Sequence, residues 1–430
     1  MKIVHIIPGS GGTFYCQNCM RDNELIRALK NLGHDVQMVP MYLPLNVDIE
    51  GLMGDTPVFY GAINVYLKEK LPFYRHAPQW MERVFDSESM LQVAAKKAGS
   101  TRAAGLEEMT ISMLLGEEGH QASELEHLIK FLKMHIKPDV VHLSNALLLG
   151  LARRLKNDLN AAVVCSLQDE NEWIDPMRDE YKDKVWGLMA ERAQDVDAFI
   201  AASQYYAEKS IQQMSLPPDK VHVVYGGICL DEYEQAPLDL APPAVGYLCR
   251  MNEYFGFGLV VDAFIRLKQE PQFKDLKFYA TGGYTGDDKP FVLEMKTKLE
   301  KAGLSGDVEF QQEFDRPNRI QFLKKLSVLS VPVLVGEAFG AYQVEALAAG
   351  IPIVQPDVGG YREFVEQTGG GIIYSPNDSE QLADAIKSLL LEPDKLRKLG
   401  RDGRKVVLEK FSMRQMADNI IRVYQNVSQA

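Results

Sequence analysis

Residues 3–7 form an apolar run that stops at Pro8-Gly9-Ser10-Gly11-Gly12; a helix-period stretch over about 21–32 then leads into a second apolar run, 36–40. Strand, glycine turn, helix and strand in that order make a βαβ unit, which commits the chain to a parallel sheet flanked by helices. Short runs of the kind that fill buried parallel strands follow at 140–143, 162–167 and 198–201. A Pro-rich, aperiodic stretch, 234–243, interrupts the series. The pattern then restarts, with strands expected at 245–248, 277–281, 308–311, 328–335 and 351–355 and a helix over 259–269. Two α/β domains are therefore expected, about 1–238 and 244–408, followed by a C-terminal segment, 409–430, with an amphipathic helix over about 414–426.

One stretch of the first domain, about 46–137, does not alternate cleanly and reads as an elaboration on its ligand side. It holds a strand-like piece at 62–67. Its first half is basic, with Lys68, Lys70, Arg75, Arg83, Lys96, Lys97 and Arg102. A solvated face explains these charges most simply; peripheral membrane contact or an anionic-acceptor patch through 68–102 is the sharper alternative. The chain as a whole is acidic, with 47 Lys plus Arg against 59 Asp plus Glu. That balance speaks against nucleic acid as a partner, so an anionic ligand has to be met by isolated cations beside glycines. The five cysteines form no disulfide framework, and the Cys16-x-x-Cys19 pair lacks the further ligands of a zinc site. The N-terminal run is too short for a signal sequence, and no run reaches the ~18–20 apolar residues of a spanning helix. A cytoplasmic protein is expected.

Three places carry chemistry. Gly11 and Gly12 follow the first strand, where glycines let backbone approach a ligand. Arg250 follows the strand 245–248, at the carboxyl end where open α/β sheets bind ligands. The densest place is Gly336-Glu337-Ala338-Phe339-Gly340-Ala341-Tyr342-Gln343-Val344-Glu345, running into an apolar stretch that ends at Gly350. Here a loop carboxylate, a helix start offering the Gly340 and Ala341 N–H groups, and a second carboxylate lie in sequence. Two carboxylates bracketing an anion site are poor neutralisers but good acceptors for sugar hydroxyls.

These residues resemble the family-4 retaining glycosyltransferases of the GT-B fold. Glu337 and Glu345 match the E-x7-E motif, with Phe339-Gly340 after the first Glu and Glu345-Ala346-Leu347-Ala348-Ala349-Gly350 at its end. Val245 to Arg250 match the strand that delivers the phosphate-binding Arg, and Val223 to Ile228 the hinge-side segment. The resemblance implies two Rossmann-like domains facing across a cleft, with the C-terminal helix crossing back to the first. It implies a nucleotide diphosphate-sugar donor, with Arg250 on the diphosphate and Glu337 placing the donor sugar as the catalytic pair. Glu345 would hold the ribose, the Gly340 helix start would assist Arg250 on the diphosphate, Phe339 and Ala341 would also bind the substrate, and Gly11 and Gly12 would approach the phosphate from the first domain. The acceptor would be a carbohydrate, a lipid-linked glycan or a small molecule. No metal or cofactor is implied. The chain departs from the family where a Lys usually follows the Arg by five residues: Phe255 stands there, so a second phosphate cation is missing unless Arg316 or a first-domain basic residue replaces it. Ser144 and Gln168-Asp169-Glu170 stand where the family often has His. Two other readings remain: a sugar 2-epimerase on the same fold, and a non-catalytic nucleotide-sugar binder.

Overall fold

The computed structural model describes residues 1–8, 14–42, 59–60, 105–239 and 241–428. Gly11, Gly12, the strand-like piece at 62–67 and the basic stretch 68–102 lie outside them. The chain divides into two units, one of Met1–Gly12, Asn18–Tyr225 and Met416–Ala430, the other of Thr13–Gln17 and Gly226–Gln415.

In the first unit, β1 (Lys2–Ile7), β2 (Asp35–Pro40), β3 (Val140–Leu143), β4 (Ala162–Leu167), β5 (Ala198–Ala201) and β6 (Val221–Val223) form one parallel sheet in the order β2-β1-β3-β4-β5-β6. The apolar runs are continuous, not alternating, because helices cover both faces: every residue of β3 and β5 is buried. Of the elaboration, the described end is helical, with helices Glu107–Leu115 and Ala122–Phe131. The first of these buries Thr110 through Leu114, and the buried Arg192 donates through Nε to the carbonyl of Leu114 at 3.2 Å.

His142, on β3, behaves as the core residue its position suggests. Its ring nitrogens lie 2.6 Å from the Tyr424 hydroxyl and 2.8 Å from Ser166 Oγ. Burial, then the neighbouring His5 and Arg21, pushes it well below the usual histidine range, so it sits neutral. Tyr424 belongs to the terminal helix, Met413–Ser428, whose residues from Met416 onward group with the first unit.

The second unit repeats the plan with β7 (Ala244–Leu248), β8 (Lys277–Thr281), β9 (Val308–Phe310), β10 (Val328–Leu329), β11 (Ile353–Pro356) and β12 (Gly371–Tyr374), all parallel, in the order β12-β11-β10-β7-β8-β9. One expected strand is cut short. The run 328–335 pairs only at Val328 and Leu329, although it is apolar but for Ser330. Pro332 has no N–H to give a ladder. Val331 N donates to the Gln355 side chain at 3.1 Å, and Leu334 N donates to the Tyr254 carbonyl at 3.0 Å. The chain thus leaves the sheet early and becomes the loop that carries Glu337. No helix among the described residues is long and apolar enough to cross a membrane.

Candidate functional site

The loop after β10 turns twice at glycines that nothing else fits. Gly336 has φ +75°, and a Cβ there would lie 2.4 Å from Gly359 N. Gly340 has φ +81°, and a Cβ there would lie 2.8 Å from Glu337 Oε1. Left-handed backbone is cheap only for glycine. These turns fold Glu337 back over the start of the helix Ala341–Ala348, and Glu337 O accepts from Gly360 N at 2.9 Å. The helix is buried from Tyr342 to Ala348, which sets Glu345, one turn in, inside the domain.

Both carboxylates are buried, Glu337 at 4% and Glu345 at 2% exposure, and each is divided the same way. Glu337 Oε1 accepts from the hydroxyls of Tyr342 and, at 3.1 Å, Tyr361; its Oε2 accepts from Gln17 Nε2 at 2.7 Å. Glu345 Oε2 accepts from Arg319 Nε and the Tyr233 hydroxyl, both at 2.8 Å; its Oε1 accepts from the Tyr15 hydroxyl at 2.7 Å. Burial and the adjacent carboxylate push Tyr15, Tyr342 and Tyr361 well above the usual phenol range, so all three stay donors. Burial alone would lower the Arg319 guanidinium, but Glu345, Tyr15 and Tyr233 more than offset it and it stays charged.

Arg250 stands at the end of β7, as expected. Asp288 fixes it: Arg250 Nε donates to Oδ2 at 2.8 Å and Nη2 to Oδ1 at 3.1 Å, with Thr285 Oγ1 3.2 Å from Nη2. Burial would raise the Asp288 carboxyl, yet Arg250 and the Thr285 N–H and hydroxyl hold it below the usual range. The pair is therefore an oriented ion pair with both charges present.

Four residues that follow β1 in sequence, Phe14 to Gln17, group with this second unit. Phe14 bridges Gly283, Tyr15 N donates to the Gly282 carbonyl at 2.7 Å, and the Phe14 ring centroid lies 4.8 Å from Arg250 Cζ. Gln17 Oε1 accepts from Ala341 N, the first N–H of the Glu345 helix, at 2.8 Å.

The structure thus ties Glu337, Gly340, Ala341 and Glu345 into one network and sets Arg250 beside the same four-residue segment. Phe339 turns the other way, its ring 5.5 Å from Phe364 and 6.1 Å from Phe411. Phe255 is 7% exposed and packs on Tyr254. Arg316, weighed as a substitute cation, donates through Nη2 to the backbone carbonyls of Cys229 and Asp231. In the first unit, Glu170 is likewise satisfied by the N–H groups of Ala146 and Gln168 and by the Tyr206 hydroxyl.

Sequence reasoning missed Arg319, Asp288, Tyr233, Tyr342, Tyr361, Tyr15 and Gln17. One signal was available. Asp315 caps the helix Arg316–Leu323 by accepting from Asn318 N, and a capped helix start places residue 319 on a definable face. Tyr342 stands inside the motif itself, between Glu337 and Glu345, and the others come from outside it.

Comparison with known proteins gives two matching families. Residues 231–406 match the family described as glycosyl transferases group 1, and residues 111–232 match glycosyltransferase family 4. The chain is 29% identical over 253 residues to the alpha-maltose-1-phosphate synthase of Mycolicibacterium smegmatis, covering 54% of this chain and 64% of that protein. It is 30% identical over 194 residues to the lipopolysaccharide core biosynthesis mannosyltransferase LpsB of Rhizobium meliloti, covering 44% and 53%. The matched part is thus less than two thirds of either relative. Among solved structures, Anabaena HepE in complex with UDP and glucose superposes with a TM-score of 0.69 at 16% identity, over 99% of both chains. Sucrose-phosphate synthase from Thermosynechococcus elongatus does so with a TM-score of 0.69 at 17% identity, also over 99% of both chains.

Proposed function

The chain belongs to the family-4 glycosyltransferases and has their two-domain, Rossmann-like GT-B fold, and from that premise we propose that it moves a sugar from a nucleotide diphosphate-sugar to an acceptor hydroxyl with retention at the anomeric carbon. The observation that carries the reading is the pair Glu337 and Glu345 bracketing the first N–H of a buried helix, with Arg250 close by. A helix start and a fixed guanidinium suit the diphosphate, on which charge grows as the bond to the anomeric carbon breaks. The carboxylates suit hydroxyls: Glu345 those of the ribose and Glu337 those of the sugar. In the transfer the anomeric carbon exchanges its bond to the diphosphate oxygen for one to the acceptor oxygen on the same face. The acceptor proton leaves with the diphosphate or to water. The solved relative that holds UDP and glucose supports a uridine donor. The acceptor is a carbohydrate, a lipid-linked glycan or a small molecule, and 46–137 is the stretch assigned to it.

A second reading, a binder without turnover, draws on Phe255, an apolar ring at a position where the family usually has a cation. Following donor consumption and product by NMR separates the two. The proposal expects a sugar product of the donor's own anomeric configuration. It also expects Glu337→Gln to lower turnover by about 10²–10³-fold, as loss of one placed electrostatic partner does, with a smaller change in nucleoside diphosphate affinity. An inverted product, or a variant that turns over like the parent, contradicts it. Binding with no donor consumed selects the second reading.

A further inference from the structure

We propose that Phe14 to Gln17 is an intramolecular stand-in for the donor, so that the protein holds its own donor site closed and a nucleotide-sugar enters by displacing this segment. The inference rests on the donor reading above and adds a gate to it. It comes from the way the two carboxylates are shared. On Glu337 and on Glu345 alike, one oxygen is held by residues of the body of the second domain: Tyr342 and Tyr361 on one, Arg319 and Tyr233 on the other. The second oxygen of each is taken by the segment, Glu337 Oε2 by the Gln17 amide and Glu345 Oε1 by the Tyr15 hydroxyl.

The segment also supplies, group for group, what a nucleotide-sugar would. The Tyr15 hydroxyl sits on Glu345 as a ribose hydroxyl would, and the Gln17 N–H sits on Glu337 as a sugar hydroxyl would. The Gln17 carbonyl oxygen accepts the Ala341 N–H that a phosphate oxygen would take. The Phe14 ring covers the Arg250 guanidinium that a diphosphate would pair with. It is also held by the bridge at Gly283, by the bond from Tyr15 N to the Gly282 carbonyl and by the Tyr15 ring, whose centroid lies 5.5 Å from Arg319 Cζ. A segment that occupies the groups a ligand needs competes with that ligand. It lowers apparent affinity by the fraction of molecules in which the site is open.

Two measurements test this. Calorimetry with UDP, GDP and ADP compares the parent with the double variant Tyr15→Phe, Gln17→Ala, which deletes the two side-chain contacts and leaves the backbone anchors. The stand-in predicts that the variant binds the preferred nucleoside diphosphate about tenfold tighter or more, because more molecules are open. Hydrogen exchange on the unmodified parent then reads the segment directly: the Tyr15 amide should exchange faster at saturating ligand. If a nucleoside diphosphate binds the parent, but the variant binds it no tighter or the Tyr15 amide becomes better protected, the segment is a wall of the site and the inference fails while the donor reading stands. If none of the three binds parent or variant, the donor reading fails and the stand-in falls with it.

Discussion

Glu345→Ala is expected to destabilise the second domain by about 3–5 kcal/mol, the cost of removing one partner of a buried ion pair. The Arg319 guanidinium, 5% exposed, would keep one backbone partner, the Phe314 carbonyl at 2.9 Å, and lose its counter-charge. The hydroxyls of Tyr15 and Tyr233 would lose the acceptor they share. The cause can be isolated. In Glu345→Met, Arg319→Leu both charges go together, and apolar side chains of similar volume should restore most of the loss. Denaturant unfolding of parent, single and double variants, followed at the second domain's transition, is the check. A single variant within about 1 kcal/mol of the parent, the span of an exposed pair, would mean that the cluster is not the buried network described here.

Asp288→Ala should be comparably severe, again about 3–5 kcal/mol, since it strands Arg250 inside the domain. Both side chains are almost fully buried, at 5% and 2% exposure for Arg250 and Asp288. Asp288 also orients Arg250, because two nitrogens of the guanidinium are bound to its two oxygens. Asp288→Asn keeps the shape and one acceptor, so it should cost less stability. It should nonetheless weaken binding of a nucleoside diphosphate more than that of the bare nucleoside, because only the diphosphate reads the position of Arg250. Titration of both ligands separates these effects. Equal losses for nucleoside and diphosphate would remove Arg250 from the phosphate site. Acid should act in the same direction: the depressed Asp288 carboxyl contributes stability above its ordinary value of 3.8, and that contribution is lost as pH falls through its lowered value.

The fold was legible because buried parallel strands announce themselves as short apolar runs, and β3, β4, β5 and β8 lie where those runs lie. The reading overran at 328–335 because apolar character alone does not say whether backbone N–H groups find a ladder, and there they go to Gln355 and Tyr254. The backbone of the site was legible for a related reason. Glu337, Gly340 and Glu345 are close in sequence, and loop-to-helix geometry fixes their relation. Their partners were not, since Tyr15, Tyr233 and Arg319 reach Glu345 from 330, 112 and 26 residues away. An Arg or Tyr in isolation carries no mark of which carboxylate it will meet. Phe339 shows the converse: it lies within the motif but spends its ring on Phe364 and Phe411.

The central claim is that Glu345 and its surroundings form a site for a nucleoside diphosphate group, and calorimetric titration of UDP, GDP and ADP into the parent and Glu345→Gln tests it most directly. Glu345→Gln keeps an acceptor for Arg319 and the tyrosines, and its folding is verified by its unfolding transition. The account predicts that one of the three binds the parent and that the variant binds it at least about tenfold more weakly, the worth of roughly one hydrogen bond to a charged group. No binding to the parent or to Tyr15→Phe, Gln17→Ala, or a folded Glu345→Gln variant that binds as the parent does, would contradict it.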